Sequence, residues 1–199
     1  MLLQDSTQPE VQYYLDGAHT EESLEVCTKW FESECEQAPQ QLRILIFNCA
    51  SSRNPEKLLQ PLSEFYRRYP FAYALFCPNV ISSASSSSAA SSASKDAKHL
   101  AQYNDRRPAD TANSSSSKNP LAWPSKVKAI WLSQTQQSEE HLKVFSCISS
   151  CLDWLRDFAP SLLEDHRRET NKAVTIQVLV TGSLHLVGGV LATLGSEVQ

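Results

Sequence analysis

The fold is decided by Thr175-Ile176-Gln177-Val178-Leu179-Val180 and the residues that follow it, Thr181-Gly182-Ser183 and then Leu184 to Leu194. The first six residues are β-branched and apolar with one polar interruption, the pattern of a strand covered on both faces. Thr181-Gly182-Ser183 is a tight turn in which Gly182 permits close backbone approach and Ser183 can cap a helix or meet a ligand carboxylate. Leu184 to Leu194 then reads as a helix. Gly188 and Gly189 inside it cost about 1 kcal/mol each against alanine. Such glycines admit a close helix–sheet contact or leave room for a ligand.

The same strand–turn–helix unit recurs toward the N-terminus. Val11 to Leu15 reads as a short strand, and a helix from Thr20 to Cys35 follows, with Thr20 as N-cap and Glu21 and Glu22 in the first turn. Arg43 to Asn48 is a near-continuous apolar run and therefore a buried strand. Asn54-Pro55 opens a helix toward Arg68, which Pro61 is expected to kink or split. Phe71 to Cys77 is a third buried strand. Lys126 to Leu132 suits a fourth, and Ser138 to Phe158 a helix capped by Ser138. Alternation of this kind predicts an α/β fold: a mostly parallel sheet with helices on both faces. Ligands of such sheets bind beyond the C-terminal strand ends, which places the candidate chemistry in the loops at 16–20, 48–54 and 181–185.

Positions 82 to 94 contain only serine and alanine. The stretch 81–125 reads as a low-complexity insertion in one domain spanning 1–199. Residues 82–118 are expected to be disordered and dispensable, since they carry too little apolar surface to offset ordering entropy. The 199 residues are 41% hydrophobic and 9% aromatic, enough for a core. A net charge of −4 without a basic stripe argues against nucleic acid as a partner. No apolar run is long enough to span a membrane, and the first residues do not read as a secretory signal. Six cysteines are spread along the chain without metal-site spacing, so they are read as free thiols in a reducing compartment, cytosol or organelle interior.

Asp16-Gly17-Ala18-His19 puts a carboxylate at a strand end and a histidine at a helix start. The carboxylate can accept from a ribose, and the histidine can meet phosphate or carboxylate. On spacing alone, a plain turn explains the same four residues. Ser51-Ser52-Arg53-Asn54 offers an arginine to an anion, or simply a solvated loop. Ser183 and His185 lack the Gly-x-Ser-x-Gly elbow of a hydrolase. Neither Gly-x-x-x-x-Gly-Lys-Ser/Thr nor Gly-x-Gly-x-x-Gly is present, so the chain offers no recognisable triphosphate cradle.

Taken together, Tyr13-Tyr14-Leu15-Asp16-Gly17-Ala18-His19-Thr20, Leu45-Ile46-Phe47-Asn48, Phe76-Cys77-Pro78-Asn79, Val144 to Ser149 and Val178 to Leu191 resemble the C-terminal domain of eukaryotic folylpolyglutamate synthases, of the Mur-ligase family. The resemblance implies an ATP-dependent ligase in one-carbon metabolism. It adds glutamate to the γ-carboxyl of folate or tetrahydrofolate through an acyl phosphate, with Mg2+ and K+ assisting. It implies ATP contacts at Asp16, His19 and Arg53, and glutamate contacts at Ser183 and His19. It also implies a monomer, cytoplasmic or mitochondrial. The pattern departs from the family in three places. The N-terminal ATPase domain and a Trp-Pro-Gly-Arg segment are absent, and Arg53-Asn54-Pro55 stands where the family has Arg-Asp-Pro. Two expectations follow: the C-terminal domain of such a ligase, inactive by itself, or a stand-alone domain that binds nucleotide or docks without catalysis.

Overall fold

The computed structural model describes residues 1–4, 8–38, 40–82 and 119–195. Most of the segment expected to be disordered therefore lies outside the described residues. One six-stranded sheet organises the rest, in the spatial order β1-β2-β6-β3-β4-β5. The strands are β1 (Leu2–Gln4), β2 (Val11–Leu15), β3 (Leu42–Phe47), β4 (Tyr73–Phe76), β5 (Leu142–Val144) and β6 (Ile176–Thr181). The edge strand β1 runs antiparallel to β2, and every other pairing is parallel. The helices are α1 (Glu21–Gln37), α2 (Pro55–Arg68), α3 (Ala122–Thr135), α4 (Ile148–Thr170) and α5 (Leu184–Gly195).

Side-chain alternation along the strands divides the core in two. Tyr14, Leu45, Phe47, Ala74, Phe76 and Leu179 face α1, α2 and α3, where Phe31, Phe65, Phe71 and Trp131 form an aromatic cluster. Tyr13, Leu15, Ile44, Ile46, Val178 and Val180 face α4 and α5. All six residues of β6 are buried because that strand has a neighbour on each side and a helical layer on each face. Gln177 is tolerated in it because its side-chain amide donates to the Tyr14 hydroxyl at 3.3 Å.

Local chemistry sets the helix starts. The Thr20 hydroxyl accepts from Ser23 N–H, and the Ser23 side chain returns a bond to the cap backbone. The Asn54 side chain accepts from the N–H groups of Glu56 and Lys57, with Pro55 at the first helical position. Pro61 does not split α2, which is continuous from Pro55 to Arg68.

Two expectations are overturned. Lys126 to Leu132 is not a strand but the middle of α3, which begins at Ala122, inside the span assigned to the insertion. Val127 and Trp131, four residues apart, form its buried stripe, and Pro124 falls in the first turn, where no intrahelical N–H is required. Nor is Ser138 to Phe158 one helix. A short 3-10 turn (Glu139–His141) leads into β5, and α4 starts at Ile148 with Cys147 as its cap and runs on to Thr170. The apolar positions 142, 145 and 148 keep helical phase across this break, which conceals it in the sequence.

Candidate functional site

The crossovers decide where a cleft can open. β2, β3 and β4 lead into α1, α2 and α3 on one face, whereas β5 and β6 lead into α4 and α5 on the other. β6 lies between β2 and β3. At its C-terminal end, neighbouring loops therefore leave toward opposite faces, the geometry that forms ligand crevices in open α/β sheets.

The loop after β2 supplies Asp16. Its backbone N–H donates to Val180 O at 3.0 Å, extending the β2–β6 ladder beyond Leu15 opposite Val180. One carboxylate oxygen accepts from Ala18 N–H at 2.8 Å, a tight Asx turn. Gly17 lies against the start of α5: a Cβ there would fall 2.1 Å from Leu184 Cδ2. The loops carrying Asp16 and Ser183 are thus in contact. His19 is exposed, with Nδ1 3.0 Å from Gly17 O. When Nδ1 holds the proton and donates to that carbonyl, Nε2 is left as an acceptor.

Beneath this loop, the Cys27 thiol donates to the Thr181 hydroxyl at 3.7 Å. Burial, reinforced by the Asp16 carboxylate, pushes this thiol up to about 12. At neutral pH this thiol is therefore uncharged.

The loop after β6 turns at Gly182, whose φ is +97°. A Cβ at Gly182 would come within 2.3 Å of Asn48 O and 2.5 Å of the Phe47 ring, so the turn needs glycine on both conformational and steric grounds. Ser183 is only 7% exposed. Its hydroxyl oxygen accepts from Asn79 Nδ2 at 3.0 Å and from His185 N–H at 3.2 Å. Asn79 Oδ1 in turn accepts from Asn48 Nδ2 at 2.9 Å. Asn48 is 4% exposed, and its Oδ1 is buried without a hydrogen-bond partner. Sequence reasoning gave no role to Asn48 or Asn79. The available signal was that each lies just past a buried strand.

Arg53 lies on the same rim, across β6 from Asp16, on the exposed loop between β3 and α2. Its N–H closes a turn to Ala50 O at 3.0 Å, and no ion pair engages its guanidinium among the described residues. The structure thus gathers Asp16, His19 and Ser183 around adjoining loops and leaves Arg53 on the other side of β6. Among the described residues, no cluster of three histidine, cysteine or acidic side chains is arranged to hold a metal ion. All six cysteines are buried free thiols. No described helix is long and apolar enough to cross a membrane. A groove of about 240 Å³ between α1 and α2, lined by Glu25, Glu32, Glu64 and Arg68, belongs to the outer helical surface rather than to this crevice.

Comparison with known proteins gives the arrangement a lineage. The chain is 32% identical over 217 residues to the mitochondrial folylpolyglutamate synthase of Homo sapiens, covering 92% of this chain and 35% of that protein. It is 28% identical over 225 residues to the folylpolyglutamate synthase of Arabidopsis thaliana, covering 93% and 34%. No family model matches the sequence. In three dimensions it superposes on a Mycobacterium tuberculosis folylpolyglutamate synthase, solved with ADP and AMPPCP. That match has a TM-score of 0.51 at 11% identity and covers 92% of this chain and 30% of that one, a likeness of fold. The chain spans about a third of the length of the curated relatives it matches, and over that third it is similar to folylpolyglutamate synthases in sequence and in fold.

Proposed function

We propose that this chain forms the C-terminal wall of an ATP-dependent ligase that adds glutamate to the γ-carboxyl of folate or tetrahydrofolate, as a single domain over residues 1–199. The observation that carries the reading is the contact between the Asp16–His19 loop and the Ser183 turn at the crevice where β6 meets β2. A carboxylate held by its own Asx turn is a pre-oriented acceptor for ribose hydroxyls, and Arg53 offers a cation to phosphate on the other side of β6. Ser183 and His19 face the incoming glutamate. When bound, ATP supplies the phosphoryl group that activates the γ-carboxylate. The residues of this chain position and recognise; they do not cradle the phosphates.

Fit is partial on the metal side. Mg2+ beside a triphosphate needs oxygen ligands in number, and the described rim offers the lone carboxylate of Asp16. Mg2+ and K+ would therefore be held by residues outside this described rim. Relatives named as mitochondrial support a mitochondrial location as part of the same proposal. Because phosphoryl transfer depends on positioning and charge neutralisation, the 199 residues alone should bind nucleotide weakly and turn nothing over.

The test pairs ATP titration by calorimetry with radiolabelled glutamate incorporation into tetrahydrofolate, using purified chain with Mg2+ and K+. Expected are weak ATP binding, at least tenfold weaker in Asp16→Ala, and no incorporation. Turnover within about a hundredfold of ordinary enzyme rates, roughly 1–10³ per second, that is lost in Asp16→Ala would overturn the positioning-only role. ATP affinity indifferent to Asp16 would overturn the site. Binding without turnover is also what the stand-alone reading expects.

A further inference from the structure

Three of the six cysteines gather where the loop after β4 meets the start of α4. Cys77 is the first residue past β4, and alternation along the strand turns it away from Phe76, into the half of the core that faces α4 and α5. Cys151 lies in the same half, one turn into α4. Both are buried, at 0% and 1% exposure. The Cys151 thiol is hydrogen-bonded to the Cys77 thiol, with the sulfur of Cys147, the cap of α4, in electrostatic reach.

Backbone bonds fasten the two segments on both sides of Cys77. Phe145 N–H donates to Phe76 O at 2.9 Å, Ile148 N–H to Val80 O at 2.8 Å and Ser149 N–H to Ile81 O at 2.9 Å. The Ser149 hydroxyl adds a bond to Ile81 O at 2.7 Å. The approach of Cys77 to Cys151 is therefore set by the fold. Cys147 turns its sulfur back along its own helix, accepting from Ser150 N–H at 3.4 Å. Cys27 meets the Thr181 hydroxyl and Cys35 the Arg43 guanidinium.

We propose that Cys77 and Cys151 are an oxidisable dithiol, a modification site at which a hydroperoxide is the oxidant and an intramolecular disulfide the product. One sulfur attacks the peroxide, the O–O bond breaks, and water or an alcohol leaves as a sulfenic acid forms. The second sulfur displaces that oxygen as water, and the S–S bond closes. Two electrons pass from the dithiol to the peroxide. Burial pushes the Cys151 thiol well above its ordinary value, and Cys77 adds to the rise, so the closed fold keeps Cys151 protonated and slow to react. Reaction is gated by opening of the first turn of α4.

The consequence reaches the rim. Cys77 stands two residues before Asn79, whose side chain donates to Ser183 Oγ at 3.0 Å. A disulfide draws the two sulfurs from hydrogen-bond contact to about 2.05 Å and so pulls on the loop that carries Asn79. It also closes the chain from 77 to 151 into one covalent loop that contains the serine- and alanine-rich stretch. In the chain-entropy view, closing a longer loop stabilises more. The site is independent of the ligase reading.

The experiment treats the reduced 199-residue chain with hydrogen peroxide, blocks the remaining thiols with N-ethylmaleimide in denaturant and maps linked peptides by mass spectrometry. Expected is one dominant disulfide, Cys77–Cys151, removed by dithiothreitol. It should form more slowly than thiols are lost in urea, where the linkages should scatter over several cysteine pairs. Cys77→Ala and Cys151→Ala should each abolish it, and Cys147→Ala should retain it. The map of the parent chain decides the pairing if an alanine variant fails to fold. The oxidised chain should melt at least about 5 °C above the reduced chain, and its ¹⁵N spectrum should shift the Asn79 and Ser183 amides while leaving those of α2 in place. A Cys147–Cys151 link, scattered links in the folded chain, or no link at all overturns the inference. So does a Cys77–Cys151 link that moves neither the melting temperature nor the Asn79 amide.

Discussion

Replacing Gly182 with alanine should damage the molecule more than its single methyl group suggests. Two independent terms add. The residue sits at φ +97°, where a side chain meets its own backbone at a cost of about 1–3 kcal/mol. The new Cβ would also lie 2.3 Å from Asn48 O and 2.5 Å from the Phe47 ring. Neither obstacle is the loose end of a surface side chain: one is strand backbone and the other a buried ring. Relieving the contact must move β3 against β6, an overpacking cost of about 1–3 kcal/mol. The sum is about 2–6 kcal/mol, a large share of a typical domain's stability. At roughly 2–4 °C per kcal/mol for a chain of this size, the melting temperature should fall by about 10 °C.

Gly188→Ala is the matched control. Gly188 is exposed on α5, and nothing lies within 4 Å of its would-be Cβ. Alanine there removes a helix-interior glycine and should gain about 0.5–1 kcal/mol. Chemically identical substitutions six positions apart should thus move stability in opposite directions. The assay is thermal unfolding by circular dichroism with urea titration as a check. Equal shifts for the two variants, or a Gly182→Ala midpoint within about 2 °C of the parent, would refute the reasoning.

Asn54→Ala removes the acceptor for Glu56 and Lys57 N–H and should cost about 1 kcal/mol. Asn54→Asp keeps the cap and adds a charge favoured at the N-terminus of α2, so its urea midpoint should equal or slightly exceed the parent's at low salt. Cys27 and Cys49 are pushed up to about 12 and about 11 by burial from an ordinary 9.0. The unfolded chain therefore loses these protons first as pH rises. The stability they confer is complete below about pH 9 and declines toward pH 11–12. The urea midpoint should drop between pH 8 and pH 10.5, and a midpoint that holds or rises would contradict the burial argument.

What could be read from the sequence follows from how local each determinant is. The buried strands at 11–15, 43–48, 71–77 and 175–180 were legible because a run covered on both faces is apolar at nearly every position. Thr20 and Asn54 were legible as caps because a cap bonds to residues only two or three positions away. The region 126–158 was misread because its apolar spacing satisfies two structures at once. Val127-Lys128-Ala129-Ile130-Trp131-Leu132 is short enough for a strand, and only the fit of Trp131 under Phe71 and Tyr66 selects the helix. β5 is three residues long and owes its existence to pairing with Ala74–Phe76, a partner that no local pattern announces. β1 likewise exists through β2, with Leu2 opposite Tyr14.

The site divides along the same line. Asp16, His19, Arg53 and Ser183 could be named in advance because each follows a recognisable strand, and strand ends of one parallel sheet share a rim. Asn48 and Asn79 could not. Their bonds join residues 31 and 104 positions apart, and those bonds exist because β6, the last strand in the chain, is inserted between β2 and β3 in the sheet. That insertion brings the Ser183 turn against the end of β3, where Gly182 packs on Asn48 O. It also brings the turn within reach of the loop after β4, where Asn79 bridges the two. A trace of the insertion is present in the sequence: a strand that is apolar at four of its six positions yet carries Gln177 is at home in the middle of a sheet when a neighbouring strand can satisfy the amide, as Tyr14 does here. Strand order, not strand identity, builds the polar chain at Ser183, and strand order is the property that periodicity along a single sequence does not encode.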